Sequence, residues 1–600
     1  MRKATRGFEN VFFLCAAIVI FFASIAAALL HTRLHFHNDR VQYGMDHLPA
    51  ALFAVFLFIA LTGILRVLLT RSAYLESKST SFYVVAIVVV FSIFWLPVLL
   101  AGGFVQDDWM LLSAASIRKI IYLHPAYSWH ALDSVDGNFR PLGTVLYFAF
   151  MLKLFGVHAL AFLTGNFIIN LLGSVVAFLI VRELGYSRVA GATASIIYIS
   201  RGLTYTENAW VSALGDAVAI LLCGLTILAV LRALKQRGLA ALVYHTIGWG
   251  CFCLATFAKQ SSFAAPAIVA ILLFLRPGDV PFVSLGRRIK SALIALLIYA
   301  GTAGIVFYHA KALLQTKTPY PLELSFDGFV SPFAYVTWYF ATIEIPTKYA
   351  HAIALPIVIG LAIVIGLAIV VRHVPRALGD RPRDVIFALL AALASVGLLI
   401  PLGPRIMSYY GSMFAFWISI ALGISLTRFG VVRTGNMPAR IACFIFCLLV
   451  VVGFLDVRIK QAALIPSGGY IWGTFGMDRE RSRYEQLSAV LSKSPHSDML
   501  VLVDFPPEPN YYASMALLAD PAIKRILVYD SGAKTYFVND LLGYWPKDEY
   551  SVLNDAEAYS WDVSMSPSDA AKAISQEKAS WIRFRDSTVE PMSRGAIGTP

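Results

Sequence analysis

The sequence predicts a polytopic α-helical membrane protein of about 13 spans, followed by a small C-terminal α/β domain outside the bilayer. Three observations carry that reading. Of 600 residues, 58% are hydrophobic and only 14% charged. Apolar runs of spanning length recur as far as 457, and from 458 onward they shorten to strand length while charges become frequent. A soluble fold has too little polar surface to cover so much apolar material, so the solvent for most of the chain is lipid.

A spanning helix needs roughly 20 apolar residues. Runs that meet or approach this lie near 11–30, 48–69, 82–101, 158–181, 189–201, 213–234, 240–258, 261–276, 290–310, 351–371, 385–403, 406–427 and 440–457. The first follows Arg2, Lys3 and Arg6 and exceeds the core of about 7–15 residues typical of a signal peptide, so a retained anchor is expected. Ala26, Ala27 and Ala28 leave cleavage open. All six cysteines (Cys15, Cys223, Cys251, Cys253, Cys443 and Cys447) lie inside apolar runs and read as small core residues.

Threading the runs alternately sorts the cations. One set of short connections holds Arg2, Lys3 and Arg6; Arg71 and Lys78; Arg182 and Arg188; Lys235 and Arg237; Arg287, Arg288 and Lys290; Arg372, Arg376, Arg381 and Arg383; and Arg433 and Arg440. These are cytoplasmic by the positive-inside rule, so the net charge of +13 reports topology and not a nucleic-acid partner. The opposite, extracytoplasmic set holds the longer, acid-rich and aromatic-rich connections. The threading requires 141–157 to be an interfacial helix, with Lys153 near its end and Gly156 closing it. The chain then divides into an additional N-terminal hairpin (1–81), a transmembrane region (82–457) with outer loops 102–157, 202–212 and 311–350, and a soluble domain (458–600). In that last part 499–505 and 525–530 read as strands, and 478–493 and 511–519 as helical.

The densest polar signal is Gly102-Gly103-Phe104-Val105-Gln106-Asp107-Asp108-Trp109, directly after the third run. Adjacent carboxylates at a membrane boundary are costly unless they do chemistry or hold a cation. They repel, so one titrates high and can accept a proton near neutral pH. Capping a helix is the plainer reading, but it uses one acid and not two. Further along, Asn138, Phe139, Arg140 and Pro141 form a turn that starts the interfacial helix, or Arg140 orients an acid or meets a headgroup. The next outer loop brings Glu207 and Asp216 to the same face; Asp216 sits where a helix N-cap is expected, while Glu207 has no such local role. Lys259 and Arg405, in tight turns, depart from the positive-inside pattern. Either they snorkel to phospholipid or they hold a phosphate, Arg bidentately and Lys as a point charge. In 311–350, Tyr320, Phe326, Phe329, Phe333, Tyr335, Trp338, Tyr339 and Phe340 read as an interfacial aromatic belt, some of it able to stack on sugar rings. His31, His35, His37 and Asp39 match no strong zinc spacing.

This arrangement resembles the GT-C glycosyltransferases, which include protein O-mannosyltransferases, oligosaccharyltransferase catalytic subunits and bacterial lipid A aminoarabinose transferases. The likeness rests on Gln106-Asp107-Asp108-Trp109 opening a long loop, an interfacial segment ending in Leu154-Phe155-Gly156, a span closed by Arg182-Glu183-Leu184-Gly185, and a second acidic loop ending at Asp216. It covers about 100 to 275, with Pro404-Arg405 and Tyr409 as a weaker echo. The resemblance implies transfer, with inversion, of a sugar from a polyprenyl-phosphate-linked donor to a lipid, protein or polysaccharide acceptor on the extracytoplasmic face. By the same carry-over Asp107 is the general base and Asp108 an orienting or metal-side acid. Glu207 and Asp216 form the second acidic site, and Lys259 and Arg405 stabilise the leaving phosphate. Trp109, Arg140 and Tyr409 complete the substrate-binding set.

No cofactor is required by the residues themselves. A divalent cation, magnesium or manganese, is compatible with the family, although the wide separation of Glu207 and Asp216 in place of a tight Asp-x-Asp counts against metal dependence. Three runs precede the acidic loop where the family usually has one. A transporter or flippase is the main competing class, but it predicts paired hydropathy repeats and broken midplane helices, which the sequence does not display. A lipid-linked-polymer ligase would centre on Arg and His in a large outer loop. A non-enzymatic membrane assembly protein would use the C-terminal domain as its binding module.

Overall fold

The computed structural model describes residues 78–105, 142–275, 284–314, 326–341, 382–400, 408–431, 437–467 and 477–493, parts of 108–115, and strands and short stretches between 499 and 592. The expected spans near 11–30, 48–69 and 351–371, and the histidine cluster at 31–39, lie outside the described residues. In chain order the helices are α1 (Thr80–Ala101), then a π-helical turn (Leu142–Leu146) running into α2 (Tyr147–Phe155), α3 (Ala159–Glu183), α4 (Arg188–Ile199), α5 (Tyr205–Ala209), α6 (Leu214–Ala233) and α7 (Gly238–Thr256). They continue with α8 (Ala265–Leu275), α9 (Leu285–Leu314), α10 (Phe326–Ala341), α11 (Pro382–Gly397), α12 (Ser412–Val431), α13 (Met437–Ser467) and α14 (Met477–Lys493).

Local signals set several of the ends. Ser79 starts α1 by accepting from the Phe82 N–H at 3.3 Å, and Ser187 starts α4 by accepting from Ala190 at 3.1 Å. Gly156 closes α2 at φ 63°, a left-handed conformation that any side chain would disfavour. A helix thus occupies 142–155, within the stretch expected to be helical, with its first turn widened.

Packing places α6 at the centre, against α3 and α7, while α12 joins α4, α11 and α13, and α8 sits between α9 and α11. Among the described residues, five helices are long and apolar enough to cross a membrane, and 188–199, 260–275 and 412–427 are shorter apolar helices. The outer helices α7 and α9 leave Leu239, Leu242, Leu293, Leu297 and Ile305 exposed. In water such a patch would be untenable; in lipid it is the expected surface of an integral membrane protein.

The helices have two chemically distinct ends. At one, Glu183 of α3 pairs with Arg232 at 3.0 Å and Lys235 at 2.7 Å, and the Tyr186 hydroxyl donates to Asp384 at 2.9 Å. This is the end of the basic connections. At the other meet the end of α1, the start of α2, the 200–213 segment, the 257–264 turn and the start of α12. Here the backbones approach very closely: the Leu142 N–H donates to the Phe257 carbonyl at 3.0 Å, and a Cβ on Gly215 would stand 2.8 Å from the Ala258 carbonyl oxygen.

Two expectations are corrected. The boundary drawn at 458 falls inside α13, which continues to Ser467. Its charges are not the start of a soluble domain but are spent on the membrane region. Pro97 has no N–H to give the Ile93 carbonyl, and Arg458 supplies the missing donor at 2.9 Å while its guanidinium lies 4.9 Å from the Phe454 ring centroid. Lys460 pairs with Asp456 at 3.2 Å and donates to the Gly202 carbonyl at 3.1 Å. Similarly, the centre of the expected loop 311–350 is helix α10, whose Tyr335, Trp338 and Tyr339 are buried against α11 and α12 and do not form an interfacial belt. Aromatic residues at helical spacing served the core here.

Beyond α14 a six-stranded sheet has the order β4-β3-β2-β1-β5-β6, formed by β1 (Met499–Val503), β2 (Arg525–Asp530), β3 (Thr535–Asn539), β4 (Ser564–Met565), β5 (Ala579–Arg585) and β6 (Thr588–Met592). The central pairs β1·β2 and β1·β5 are parallel and the outer ones antiparallel. Leu487 and Leu491 of α14 share an apolar cluster with Leu500, Leu502 and Ile582, and Gln486 accepts from the Val589 N–H at 2.9 Å.

The close approach generates a test. Gly215→Ala is expected to lower the unfolding midpoint in detergent, by about 1–3 kcal/mol of overpacking. Gly304→Ala, at a position with no atom within 4 Å of the added Cβ, should leave it unchanged or raise it.

Candidate active site

The acidic loop is fastened by Asp108. Its carboxylate is fully buried and accepts from the Ser212 N–H at 2.7 Å, the Ser212 hydroxyl at 2.5 Å and the Val105 N–H at 3.0 Å. The side chain thus points back along the chain and across to the second loop, and does not cap a helix ahead of it. Three donors match the lone-pair capacity of an ionised carboxylate that is removed from water. Tyr147 of α2 lies in the field of Asp108; burial first, and that carboxylate second, raise its hydroxyl well above the ordinary range. It stays a neutral donor, to the Phe162 carbonyl at 2.5 Å.

The second loop is organised by a polar stripe on α3. Asn166 donates to the Glu207 and Trp210 carbonyls, both at 3.0 Å, and Asn170 donates to the Glu207 carbonyl at 3.4 Å. Four-residue spacing puts both amides on one face, and they satisfy carbonyls at the end of the five-residue helix α5. The Glu207 side chain is fully buried, and among the described residues neither carboxylate oxygen receives a hydrogen bond. Burial, reinforced by Asp216, pushes its carboxyl well above the usual range; the Ser412 hydroxyl and Lys259 oppose this, but Ser412 donates to the Leu203 carbonyl at 3.2 Å. The direction of that shift favours the neutral form of Glu207 relative to an exposed glutamate.

Asp216 occupies the first turn of α6, three residues in from Ala213, so it is not the N-cap. It forms a buried ion pair with Lys259 at 2.9 Å. The Lys259 ammonium also stands 5.5 Å from the ring centroid of Tyr410. The sequence had singled out Tyr409; the described ring that meets Lys259 belongs to its neighbour.

Asp108, Glu207, Asp216 and Lys259 are thus gathered at one end of the helices. Trp109 is there too, but its ring is 1% exposed, packed on Phe104 at 5.4 Å and Tyr484 at 4.9 Å. It offers no face to a substrate. Asp107, Arg140, Arg405 and the side chain of Tyr409 lie outside the described residues. Sequence reasoning passed over Ser212 and Tyr147, whose signal is only their proximity in space. It also passed over Arg201, which is buried and donates to the Tyr339 carbonyl at 3.0 Å, to Ser200 at 2.9 Å and to the Leu449 carbonyl. A cation between a short span and an acidic loop was the available clue.

The described acids are not arranged to hold a divalent cation. Asp108 is taken up by three N–H and O–H donors, Asp216 by an ammonium, and among the described residues no three His, Cys, Asp or Glu side chains converge.

No protein-family model and no curated protein matches the chain. Among solved structures it is similar to ArnT from Cupriavidus metallidurans bound to undecaprenyl phosphate, at 14% identity over 85% of this chain and 98% of that one, with a TM-score of 0.44. It is similar to the Archaeoglobus fulgidus oligosaccharyltransferase in the apo form, at 12% identity over 74% of this chain and 64% of that one, TM-score 0.44. A third match, at 10% identity over 75% and 69% of the two chains and TM-score 0.40, is the oligosaccharyltransferase AglB of the same archaeon in complex with an inhibitory peptide and a dolichol-phosphate.

Two stability measurements check these assignments. Lys259→Met should cost about 3–5 kcal/mol by stranding a buried carboxylate, and Asp216→Leu added to it should recover most of that loss. For Glu207 the folded pKa lies above the unfolded value of about 4.3, so its contribution is fully present below that pH. It is lost as pH rises toward the folded pKa, by at most about 1.4 kcal/mol per unit. Unfolding midpoints of Glu207→Gln should lack this decline; parallel pH curves for variant and wild type would contradict it.

Proposed function

We propose that this chain is a membrane glycosyltransferase that moves a sugar, with inversion, from a polyprenyl-phosphate-linked donor to an acceptor on the extracytoplasmic face. The observation that carries the reading is the gathering of Asp108, Glu207, Asp216 and Lys259 at the end of the helices opposite the basic connections. With this end outward the N-terminus is cytoplasmic and the C-terminal sheet extracytoplasmic.

The chemistry needs one base near the acceptor and positive charge beside the leaving group. In this reading Asp107 takes the proton from the acceptor hydroxyl as its oxygen attacks the anomeric carbon. The bond from that carbon to the phosphate oxygen breaks, and the electron pair leaves with the phosphate. Asp108 orients the loop: with its carboxylate occupied by Ser212 and Val105, it is the wrong acid to move a proton, which leaves that task to its neighbour. Lys259, held in place by Asp216, presents positive charge to the leaving phosphate, with Arg405 as second cation and Arg140 at the headgroup. With its carboxyl shifted toward the neutral form, Glu207 puts less negative charge beside Lys259 than an exposed glutamate would, which suits a phosphate site. Trp109 is reassigned from substrate contact to packing. Acceptors remain lipid, protein or polysaccharide.

Transfer of radiolabel from polyprenyl-phosphate sugars in membranes tests this. Asp107→Asn should reduce transfer by about 10²–10⁴-fold with donor binding retained. Undiminished transfer would remove Asp107 as the base, and the labelled product identifies the acceptor class.

A further inference from the structure

We infer that Tyr484, on α14, is a positioning residue for the acidic segment 107–109, so that the region beyond α13 forms one wall of the site. The inference rests on the proposed transfer reaction and goes beyond it.

A loop fixed at a single side chain can still pivot. Asp108 ties the segment to the second loop on one side through Ser212. The next residue, Trp109, adds a second anchor: its ring meets Phe104, itself 5.2 Å from Phe162 of α3, and Tyr484, at 4.9 Å and 34°. Anchors on two adjacent residues hold the backbone at 108–109 more firmly than either would alone, and Asp107 is one Cα step of about 3.8 Å away.

Tyr484 is itself well founded. Leu487 and Leu491 follow it at three and seven residues and are buried, while Arg481 and Glu485 pair at 2.9 Å on the exposed face. One apolar cluster runs without a break from Leu99, Phe104 and Trp109 through Leu487 and Leu491 to Leu500, Leu502 and Ile582. The sheet therefore bears on the acidic loop through α14, and Tyr484 is where an aromatic ring makes that contact. A misplacement of about 1 Å at a reacting group can cost on the order of 10²-fold in rate.

The test uses the full-length protein in detergent, with Tyr484→Ala, Tyr484→Leu and Tyr484→Phe. Amide hydrogen exchange of 102–115 should be faster by roughly 10-fold in the Ala and Leu variants, with protection of α3 and α6 unchanged. In the transfer assay kcat should fall by roughly 10–100-fold with KM for the donor unchanged, and Tyr484→Phe should restore both readouts. Unchanged exchange in 102–115 overturns the inference, as does a Leu variant that loses protection throughout the protein or raises KM at constant kcat. If wild type transfers no sugar, the proposed reaction fails while the exchange measurement still decides whether Tyr484 positions the loop.

Discussion

The structure depends on how Asp108 is held. A carboxylate cannot be taken out of water at a membrane boundary without donors to replace its hydration. Ser212 gives two and Val105 one, at 2.5–3.0 Å. Because Ser212 belongs to the segment between α5 and α6, satisfying that single charge also joins the loop after α1 to the loop before α6. The close approach of Gly215 to Ala258 then brings in the 257–264 turn, and with it Lys259.

The same demand explains the other charges at this end. Each is matched by a partner whose chemistry is specific: Asp216 by an ammonium, Arg201 by backbone carbonyls including that of Tyr339, Arg458 by the mid-helix Ile93 carbonyl that Pro97 leaves without a donor, Lys460 by Asp456 and the Gly202 carbonyl. Glu207 differs: among the described residues neither oxygen is hydrogen-bonded, and burial shifts its carboxyl toward the neutral form. Among the described residues the ionised groups at this end are thus each met by a partner, an arrangement that suits the proposed handling of an anionic headgroup.

Much of this was legible in the sequence, because bilayer thickness and charge placement are strong constraints. The described helices α1, α3, α4, α6, α7, α8 and α9 overlie the apolar runs, and the shared face of Asp108, Glu207, Asp216 and Lys259 followed from alternate threading. The errors have a common origin. Composition marks where polar residues are, and not what they bond. Asp456, Arg458 and Lys460 looked like the edge of a soluble domain because their partners, Gly202 and the carbonyl orphaned by Pro97, are hundreds of residues away. Trp109 was placed with the substrate-binding residues; its contact with Tyr484, hundreds of residues away, is not visible in the sequence. Strands β3, β5 and β6 were not read from the sequence: Ile582, Phe584 and Val589 do alternate with polar neighbours, but the runs are only five to seven residues long.

The most direct test of the central claim is a cryo-EM structure of the full chain with polyprenyl phosphate. The account predicts phosphate density at the end where Asp108, Glu207 and Asp216 gather, within hydrogen-bonding reach of Lys259. Density instead at the opposite end, beside Arg232 and Lys235, would contradict it.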